Sequence, residues 1–234
     1  MDKVLVITGG SRGIGLATAE RFADKGYCVI NLSRQQPALT GITHITADLS
    51  DINWPSRCGD ALLEQLNGAE AITLVHNAGV LAKDTVRDIE AETFQRVMQL
   101  NVIAASQLNQ LLLPVMNTGS SILYVSSTLG EKGVANTCSY VSSKHAQIGL
   151  MKAGCQDLFG SGIHSAAICP GFTDTEMLRD HVGNDAEVLA YFAGLSAFGR
   201  LLAPKEIADT LWFCANTPAI NGSVIHANLG QLEN

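Results

Sequence analysis

The stretch Thr8-Gly9-Gly10-Ser11-Arg12-Gly13-Ile14-Gly15 follows directly on the apolar run Val4-Leu5-Val6-Ile7. It predicts a strand that turns through glycines into a helix whose first N–H groups face outward. Such a helix N-terminus binds anions, and in βα units a glycine turn of this kind holds the pyrophosphate of a dinucleotide. The spacing is G-x-x-x-G-x-G instead of G-x-G-x-x-G, so the loop needs a second signal.

The glycines of this loop have separate predicted roles. Gly9 permits the tight turn, Gly13 lets backbone approach phosphate, and Gly15 lets the helix pack close to the strand. Ser11, Arg12 and Ile14 complete the predicted phosphate loop. A glycine-rich turn without any ligand is the alternative interpretation.

The second signal is Tyr140-Val141-Ser142-Ser143-Lys144, in a segment with helical patterning. Residues four apart share a helix face, so Tyr140 and Lys144 project into the same space. Moving the pKa of a phenol from ~10 toward 7 requires about 4 kcal/mol in favour of the anion. A lysine cation ~5 Å away contributes roughly 3 kcal/mol at an effective dielectric constant of ~20, and a positive nicotinamide ring would add to it. We therefore expect a proton donor and acceptor near neutral pH, although ordinary amphipathic helices also carry this pair.

Strand-like runs alternate with helix-like runs along the chain, and no linker divides them. The strand-like runs are 3–8, 27–33, 42–46, 71–76, 120–126, 162–168 and 223–227. They are rich in Val, Ile and Leu without much alternation, as is typical of a parallel sheet buried on both faces. The sequence predicts an α/β fold: a single-domain, Rossmann-type doubly wound parallel sheet over residues 1–234, with helices on both faces.

The composition excludes several classes of protein. A net charge of −7 leaves no basic stripe for nucleic acid. The six cysteines form no C-x-x-C pair, which favours reduced thiols in a cytoplasmic protein. We expect no secretory signal, and no membrane span, because no apolar stretch approaches ~18 residues.

The end of the second predicted strand favours NADP over NAD. Ser33 lies 18 residues beyond Gly15, where a carboxylate that binds the ribose 2′-hydroxyl would stand, and Arg34 follows it. A 2′-phosphate with about −1.5 to −2 charges is expected to be attracted by Arg34 and Arg12 and to meet no carboxylate. Alternatively, both arginines are solvated surface charges.

Two further segments fit the same pocket. Asp48 and Leu49 follow the third predicted strand, where the carboxylate could receive the adenine amino group or form a turn or helix cap. Asn77-Ala78-Gly79 follow the fourth, and their small size would let backbone pass beside the cofactor, as would a plain turn.

These residues resemble the short-chain dehydrogenase/reductase family along nearly the whole chain. The family pattern T-G-x-x-x-G-I-G falls on Thr8 to Gly15, and Y-x-x-x-K on Tyr140 to Lys144. The family's catalytic serine stands 13 residues before the tyrosine, where this chain has Ser127. Its helical asparagine falls on Asn101, in Leu100-Asn101-Val102.

The resemblance implies a role for each of these residues. Ser127 would hold the substrate oxygen, Tyr140 would pass the proton, and Lys144 would orient the ribose and lower the pKa of the tyrosine. Asn101 would fix a water behind Lys144. An asparagine amid Leu and Val indicates a buried polar network, unless it is a satisfied structural residue.

The segment after the sixth predicted strand also matches the family. It reads Pro170-Gly171-Phe172-Thr173-Asp174-Thr175. By resemblance, the backbone near Thr173 and the hydroxyl of Thr175 would bind the nicotinamide carboxamide.

Two positions depart from the family pattern. His76 stands where an asparagine usually precedes Asn-Ala-Gly, and Leu229 stands where a second glycine is usual. His76 could loosen a hydrogen bond of the sheet or replace it through the imidazole, and Leu229 could reshape the C-terminal turn. No metal site is predicted, since His76 has no partner ligands at zinc-like spacing.

Residues 176–200 are the expected variable substrate lid. They are rich in Leu, Ala and aromatics, which favours an apolar carbonyl substrate, although helix packing produces the same composition. The pieces S-R-G-I-G, P-G-F-x-x-T-x-M and Ile225-His226-Ala227-Asn228 resemble the 3-oxoacyl thioester reductase branch.

The sequence thus favours an NADP(H)-dependent oxidoreductase that interconverts a carbonyl, a ketone or 3-oxoacyl group, and an alcohol. The alternative is a catalytically weak dinucleotide-sensing or scaffold protein, which would not need the four residues of the active site. A related epimerase or dehydratase normally has a longer C-terminal domain than the 63 residues after Gly171. By resemblance the chain forms a homo-oligomer, a dimer or tetramer, with contacts near 91–116 and 137–160.

Overall fold

One parallel sheet organises the chain. The computed structural model describes residues 3–232, so four residues of the predicted domain, 1, 2, 233 and 234, lie outside the described part. Within that part, seven strands pair in the order β3-β2-β1-β4-β5-β6-β7. They are β1 (Lys3–Thr8), β2 (Cys28–Ser33), β3 (Thr43–Thr46), β4 (Ala71–His76), β5 (Ser121–Val125), β6 (His164–Pro170) and β7 (Val224–Ala227). The predicted doubly wound fold is confirmed.

Helices connect the strands and cover the sheet. They are α1 (Gly13–Ala23), α2 (Trp54–Gln65), α3 (Ala91–Met98), α4 (Ala104–Leu112), α5 (Cys138–Asp157), α6 (Glu176–Val182), α7 (Ala186–Gly194) and α8 (Pro204–Ala215). A π-helical turn, Gln99–Ile103, joins α3 to α4. Short 3₁₀ turns lie at Leu113–Val115, Thr128–Gly130 and Pro218–Ile220. Among the described residues, no helix has both the length and the hydropathy needed to cross a bilayer.

The sheet is apolar on both faces because successive side chains of a strand point to opposite sides. On β1, Val4 and Val6 join the cluster that contains Trp54 of α2. Leu5 and Ile7 join the other cluster, which contains Phe22 of α1. Burial on both faces explains why apolar residues run through the strands without alternation.

The strand order reverses beside β1, which pairs with β2 on one side and β4 on the other. Ligands of open α/β sheets bind in the crevice at the carboxyl ends of the strands at such a switch point. Thr8 ends β1, and its hydroxyl accepts hydrogen bonds from the backbone N–H groups of Asn77 and Ala78, both at 3.0 Å. The loop after β1 and the loop after β4 are therefore fixed to each other at this edge.

Candidate active site

The glycine loop between β1 and α1 allows close backbone approach. Gly9 has φ 69°, and a Cβ there would lie 3.0 Å from Ala78 Cα. A Cβ at Gly15 would collide with the Gly9 carbonyl oxygen. Only glycine fits these two positions, as the sequence predicted.

The N-terminus of α1 fits an anion. Arg12 is the N-cap residue in an extended conformation, no side chain caps the helix, and its first turn holds no acidic residue. The first N–H groups of a helix lack intrahelical partners and carry partial positive charge. A dinucleotide pyrophosphate would satisfy these groups, with Ser11, Gly13 and Ile14 supplying the surrounding backbone.

Two asparagines brace this loop. Asn77 Nδ2 donates to the carbonyl oxygens of Thr8 and Gly9, both at 3.0 Å. Asn31 of β2, which the sequence analysis did not select, accepts from the Gly10 N–H at 2.8 Å through Oδ1. A lone amide inside the apolar run of β2 is the signal that could have found it, because a buried amide needs partners.

The residues expected to choose between NADP and NAD lie at the end of β2. Ser33 is buried and its hydroxyl donates to the Gln35 carbonyl at 2.7 Å, whereas Arg34 is exposed. Arg12 Nε lies 3.5 Å from a carboxylate oxygen of Glu176, at the start of α6. Arg34 lies close enough to Asp48 to act on its carboxyl electrostatically.

Each of these arginines therefore has an acidic neighbour in the fold, which the sequence did not indicate. The fold brings the loop after β3 beside the end of β2, and the start of α6 beside the glycine loop, and each contributes an acid. The carboxylates belong to exposed side chains in high dielectric, so both attractions are weak.

Asp48 has the turn role that was one of its two interpretations. Its Oδ1 accepts from the Ser50 hydroxyl at 2.6 Å and from the Ser50 N–H at 3.1 Å. The hydroxyl bond, more than the neighbouring Arg34, holds the pKa of this carboxyl below its usual value. Leu49 beside it is buried, and its carbonyl oxygen accepts from Gln99 Nε2 at 3.3 Å.

The fold brings Tyr140, Ser127 and Lys144 together at the same edge of the sheet. Ser127 follows β5, and its side chain hydrogen-bonds the Tyr140 phenol. Lys144 Nζ, one turn further along α5, lies 5.4 Å from the centroid of the Tyr140 ring. Both α5 side chains are buried.

Burial dominates the ionisation of this pair. It raises the pKa of Tyr140 to about 12, and the hydrogen bond from Ser127 offsets only part of that rise. It lowers the pKa of Lys144 to about 8. The shift of the phenol pKa is opposite to the sequence expectation, because the cost of removing a phenolate from water exceeds what the Ser127 hydrogen bond returns. At neutral pH the phenol is protonated and the amine charged, which is the state of a proton donor.

Asn101 lies in the π-helical turn and is fully hydrogen-bonded. Its Oδ1 accepts from the Val80 N–H at 2.9 Å. Its Nδ2 donates to the Val80 carbonyl at 3.0 Å and to Ser143 Oγ at 2.9 Å. The buried polar network that the sequence suggested is present, and it joins the loop after β4 to α5.

The link between Asn101 and Lys144 runs through a residue that the sequence analysis missed. Lys144 Nζ donates to Gln147 Oε1 at 3.0 Å, and Gln147 Nε2 donates to the main-chain carbonyl of Asn101 at 2.6 Å. Gln147 lies three residues after Lys144, on the same helix face. This spacing is the signal that could have found it.

The cofactor half and the chemical half of the site meet at Gly79. A Cβ on Gly79 would lie 3.7 Å from Lys144 Nζ and 3.4 Å from Asn101 Oδ1. A second missed residue, Asp84, stabilises the start of α5: its carboxylate accepts from the N–H of Ser139 at 2.9 Å and from its hydroxyl. Asp84 is far from α5 in sequence, so no local pattern indicates this cap.

The segment after β6 closes over the glycine loop. Pro170 ends β6, and the backbone at Gly171 passes so close to Asn228 that a Cβ there would lie 2.8 Å from Asn228 Cβ. Thr173 Oγ1 donates to the Gly171 carbonyl at 3.0 Å. Thr175 caps α6 by accepting from the Leu178 N–H at 3.3 Å, and its Cγ2 would lie 3.3 Å from a Cβ on Gly13.

The two departures from the family pattern have clear structural outcomes. His76 Nε2 lies 2.8 Å from Asn109 Oδ1, so the imidazole does make a hydrogen bond of its own. Burial lowers the pKa of His76 to about 4. Leu229 has φ 53°, a value that favours glycine, and its carbonyl accepts from the Ala197 N–H at 3.0 Å.

The glycine loop, the tyrosine and lysine on one helix and the serine after β5 form one cleft, and a comparison with known families decides what it belongs to. The model of the short chain dehydrogenase family matches residues 3–185. The chain belongs to the short-chain dehydrogenase family.

Individual relatives and a solved structure are also similar to the chain. The chain is 30% identical to the uncharacterized oxidoreductase YmfI of Bacillus subtilis, over 98% of this chain and 99% of the relative. It is 28% identical to the 3-oxoacyl-[acyl-carrier-protein] reductase MabA of Mycobacterium bovis, over 99% of this chain and 93% of the relative. The solved structure of ElxO with NADP bound superposes with a TM-score of 0.87 at 25% identity, and the match covers 98% of each chain.

Proposed function

We propose that this short-chain dehydrogenase is an NADP(H)-dependent oxidoreductase that interconverts a ketone or 3-oxoacyl group and an alcohol. Tyr140 acts as the general acid and base. The observation that carries the proposal is the contact of the Tyr140 phenol with Ser127, beside the buried Lys144 ammonium 5.4 Å from the ring. A sensor or scaffold would not require these three groups to converge.

The residues around the cleft fit the nucleotide. The uncapped start of α1 and the glycines that exclude side chains would hold the pyrophosphate. Thr173 and Thr175 would hold the carboxamide, and Asn77, Ala78 and Gly79 would line the passage between the two halves. When bound, NADPH supplies the hydride.

The chain's own residues handle the proton and the oxygen. In the direction of reduction, Ser127 donates a hydrogen bond to the carbonyl oxygen, which polarises it. Tyr140 gives its phenolic proton to the same oxygen, and the Lys144 ammonium stabilises the phenolate that remains. In the direction of oxidation, the phenolate takes the proton from the alcohol.

NADP is favoured over NAD by charge. Arg34 is exposed directly after β2, where no acidic residue follows Ser33, and Arg12 can exchange Glu176 for a phosphate. A doubly charged phosphate competes well against one exposed carboxylate. The solved structure of ElxO with NADP bound is consistent with this choice.

Exposed side chains support the proposals for the substrate and the assembly. The lid, residues 176–200, exposes Tyr191 and Phe198, which favours an apolar carbonyl compound.

Ile103, beside α4, is exposed and lies on one of the two helical faces that we propose as contacts of a homodimer or homotetramer. None of the six cysteines, all within the described residues, forms a disulfide, which is consistent with a cytoplasmic enzyme.

The decisive experiment compares NADPH with NADH as reductants of a panel of ketones, diketones and 3-oxoacyl thioesters. The proposal expects turnover of at least one class with NADPH and a lower kcat/KM with NADH. Tight NADPH binding without turnover of any compound would favour the sensing function instead.

A further inference from the structure

Gln147 is a buried amide with both ends committed. Its oxygen accepts from Lys144 Nζ at 3.0 Å, and its nitrogen donates to the Asn101 carbonyl at 2.6 Å. The orientation of the amide is fixed, because an ammonium can only donate and a carbonyl can only accept. The opposite orientation would place donor against donor and acceptor against acceptor.

We propose that Gln147 is a positioning residue: it holds the Lys144 ammonium in register with Tyr140 by bridging it to the main chain of the π-helical turn. The inference rests on the proposed function for its catalytic meaning. The effect of Gln147 on the position and ionisation of Lys144 does not depend on any substrate.

The lysine has few other means of staying charged at this place. Within residues 3–232, its ammonium has one further acceptor, the Val125 carbonyl at the end of β5, at 2.9 Å. Lys144 is buried, and burial lowers its pKa to about 8. Hydrogen bonds to the charged form oppose that effect. Gln147 supplies one of the two hydrogen bonds to the ammonium. Its own side chain is held by the main chain of the π-helical turn, whereas Lys144 lies on α5.

The titratable groups that act on Lys144 are few. Tyr140 faces it from its own helix, and Cys169 faces it from β6 and acts on its pKa. Glu131 and Ser127 act on Cys169 in turn. The two groups that accept hydrogen bonds from the ammonium are neutral: the Gln147 side chain on its own helix and the Val125 carbonyl of β5.

The test follows the ionisation of Lys144 directly. Protein labelled with ¹³C at lysine Cε is titrated by NMR, and the Lys144 resonance is identified by its loss in Lys144→Met. Gln147→Leu fills the space without an acceptor, so the midpoint of Lys144 should fall by roughly one pKa unit or more. Gln147→Met, unbranched and similar in length, carries the same expectation if the Leu variant does not fold.

A third variant separates positioning from packing. Gln147→Ala leaves room for a water that can accept from Lys144 and donate to Asn101. The Lys144 midpoint should therefore be highest in the wild type, lower in the Ala variant and lowest in the Leu variant. Thermal stability should instead be lower for Ala than for Leu, because the smaller side chain leaves a cavity. A purely structural residue would give the same order in both measurements.

Gln107→Leu is the matched control. Gln107 on α4 also bridges several partners: its Oε1 accepts from Trp54 Nε1 at 2.9 Å and from Gln99 Nε2 at 3.3 Å, and its Nε2 donates to the Ile52 carbonyl at 2.7 Å. Its loss should lower stability and leave the Lys144 midpoint unchanged. The proposal is overturned if folded Gln147→Leu keeps the wild-type midpoint, or if Gln107→Leu shifts it equally.

The failure of the proposed function has a different signature. If the wild type reduces no carbonyl compound but the midpoint still responds to Gln147, the positioning role stands and the enzymatic role does not. If the wild type is active, the alkaline limb of kcat with NADPH should move with the midpoint while the KM of the carbonyl substrate stays the same.

Discussion

The Lys144 ammonium nitrogen lies 5.4 Å from the centre of the Tyr140 ring, and both side chains are buried. Burial raises the pKa of Tyr140 to about 12 and lowers the pKa of Lys144 to about 8. At neutral pH a protonated phenol therefore lies beside a charged amine. This is the protonation state that the proposed carbonyl reduction requires of its general acid.

Tyr140→Phe should remove the proton donor while keeping the ring. Turnover with NADPH is expected to fall roughly 10²- to 10⁴-fold, whereas the Kd of NADPH measured by calorimetry should change little. Tyr124→Phe is the matched control, since the buried Tyr124 hydroxyl bonds Asn109 at 2.7 Å outside the cleft. Equal activity of the Tyr140 variant and the wild type would remove Tyr140 from the mechanism.

Lys144 should make stability depend on alkaline pH. Its folded pKa of about 8 lies below the ordinary value of 10.5, so the unfolded chain binds more protons between these values and stability rises with pH in that window. Relative to Lys144→Met, the wild type should gain roughly 2–3 kcal/mol of unfolding free energy between pH 7 and pH 10. Urea denaturation at the two pH values measures this difference, and a constant difference would contradict the lowered pKa.

His76 should make stability depend on acid pH. Burial lowers its pKa to about 4 from 6.5. Its contribution to the free energy of unfolding is therefore complete above pH 6.5 and is lost as the pH falls toward 4. The wild type should lose roughly 3 kcal/mol more than His76→Asn between pH 7 and pH 4. Parallel stability curves for the two proteins in urea would show that folding does not lower the pKa of His76.

Gly15→Ala should abolish nucleotide binding, because the new Cβ collides with the Gly9 carbonyl oxygen and lies 2.5 Å from Asn77 Nδ2. Both belong to the backbone turn and its brace, so the loop must move. Gly149→Ala, on the exposed face of α5 with open space around it, is the control and should gain roughly 0.5–1 kcal/mol of stability. Calorimetry with NADPH and thermal unfolding test the pair.

Arg34→Leu should weaken NADPH and spare NADH. Losing a charged hydrogen-bond donor to the 2′-phosphate, worth roughly 1.5–3 kcal/mol, should raise the Kd of NADPH about tenfold or more. Arg87→Leu removes an equally exposed arginine from the loop after β4. If NADPH and NADH weaken together, Arg34 does not read the phosphate.

Local pattern was sufficient to predict the sheet and part of the site. Each strand-like run contains or overlaps one observed strand, because continuous apolar runs bounded by turns reflect burial on both faces. The glycine loop and the helical spacing of Tyr140 and Lys144 are also local properties. Their convergence is a consequence of strand order, which the resemblance implied and periodicity alone does not contain.

Contacts between distant parts of the chain decided the rest. Asn31 bonds Gly10, Asp84 bonds the start of α5, and Gln147 bonds Asn101, each across 21 or more residues. The direction of the Tyr140 pKa belongs to the same class, since it depends on how completely water is excluded. The sequence by itself determined which chemical groups the chain carries and how each segment folds, because periodicity and turn chemistry act within a few residues. Only the tertiary structure decided which amide holds the lysine and how far the phenol is desolvated, because hydrogen bonding and burial are set by neighbours in space.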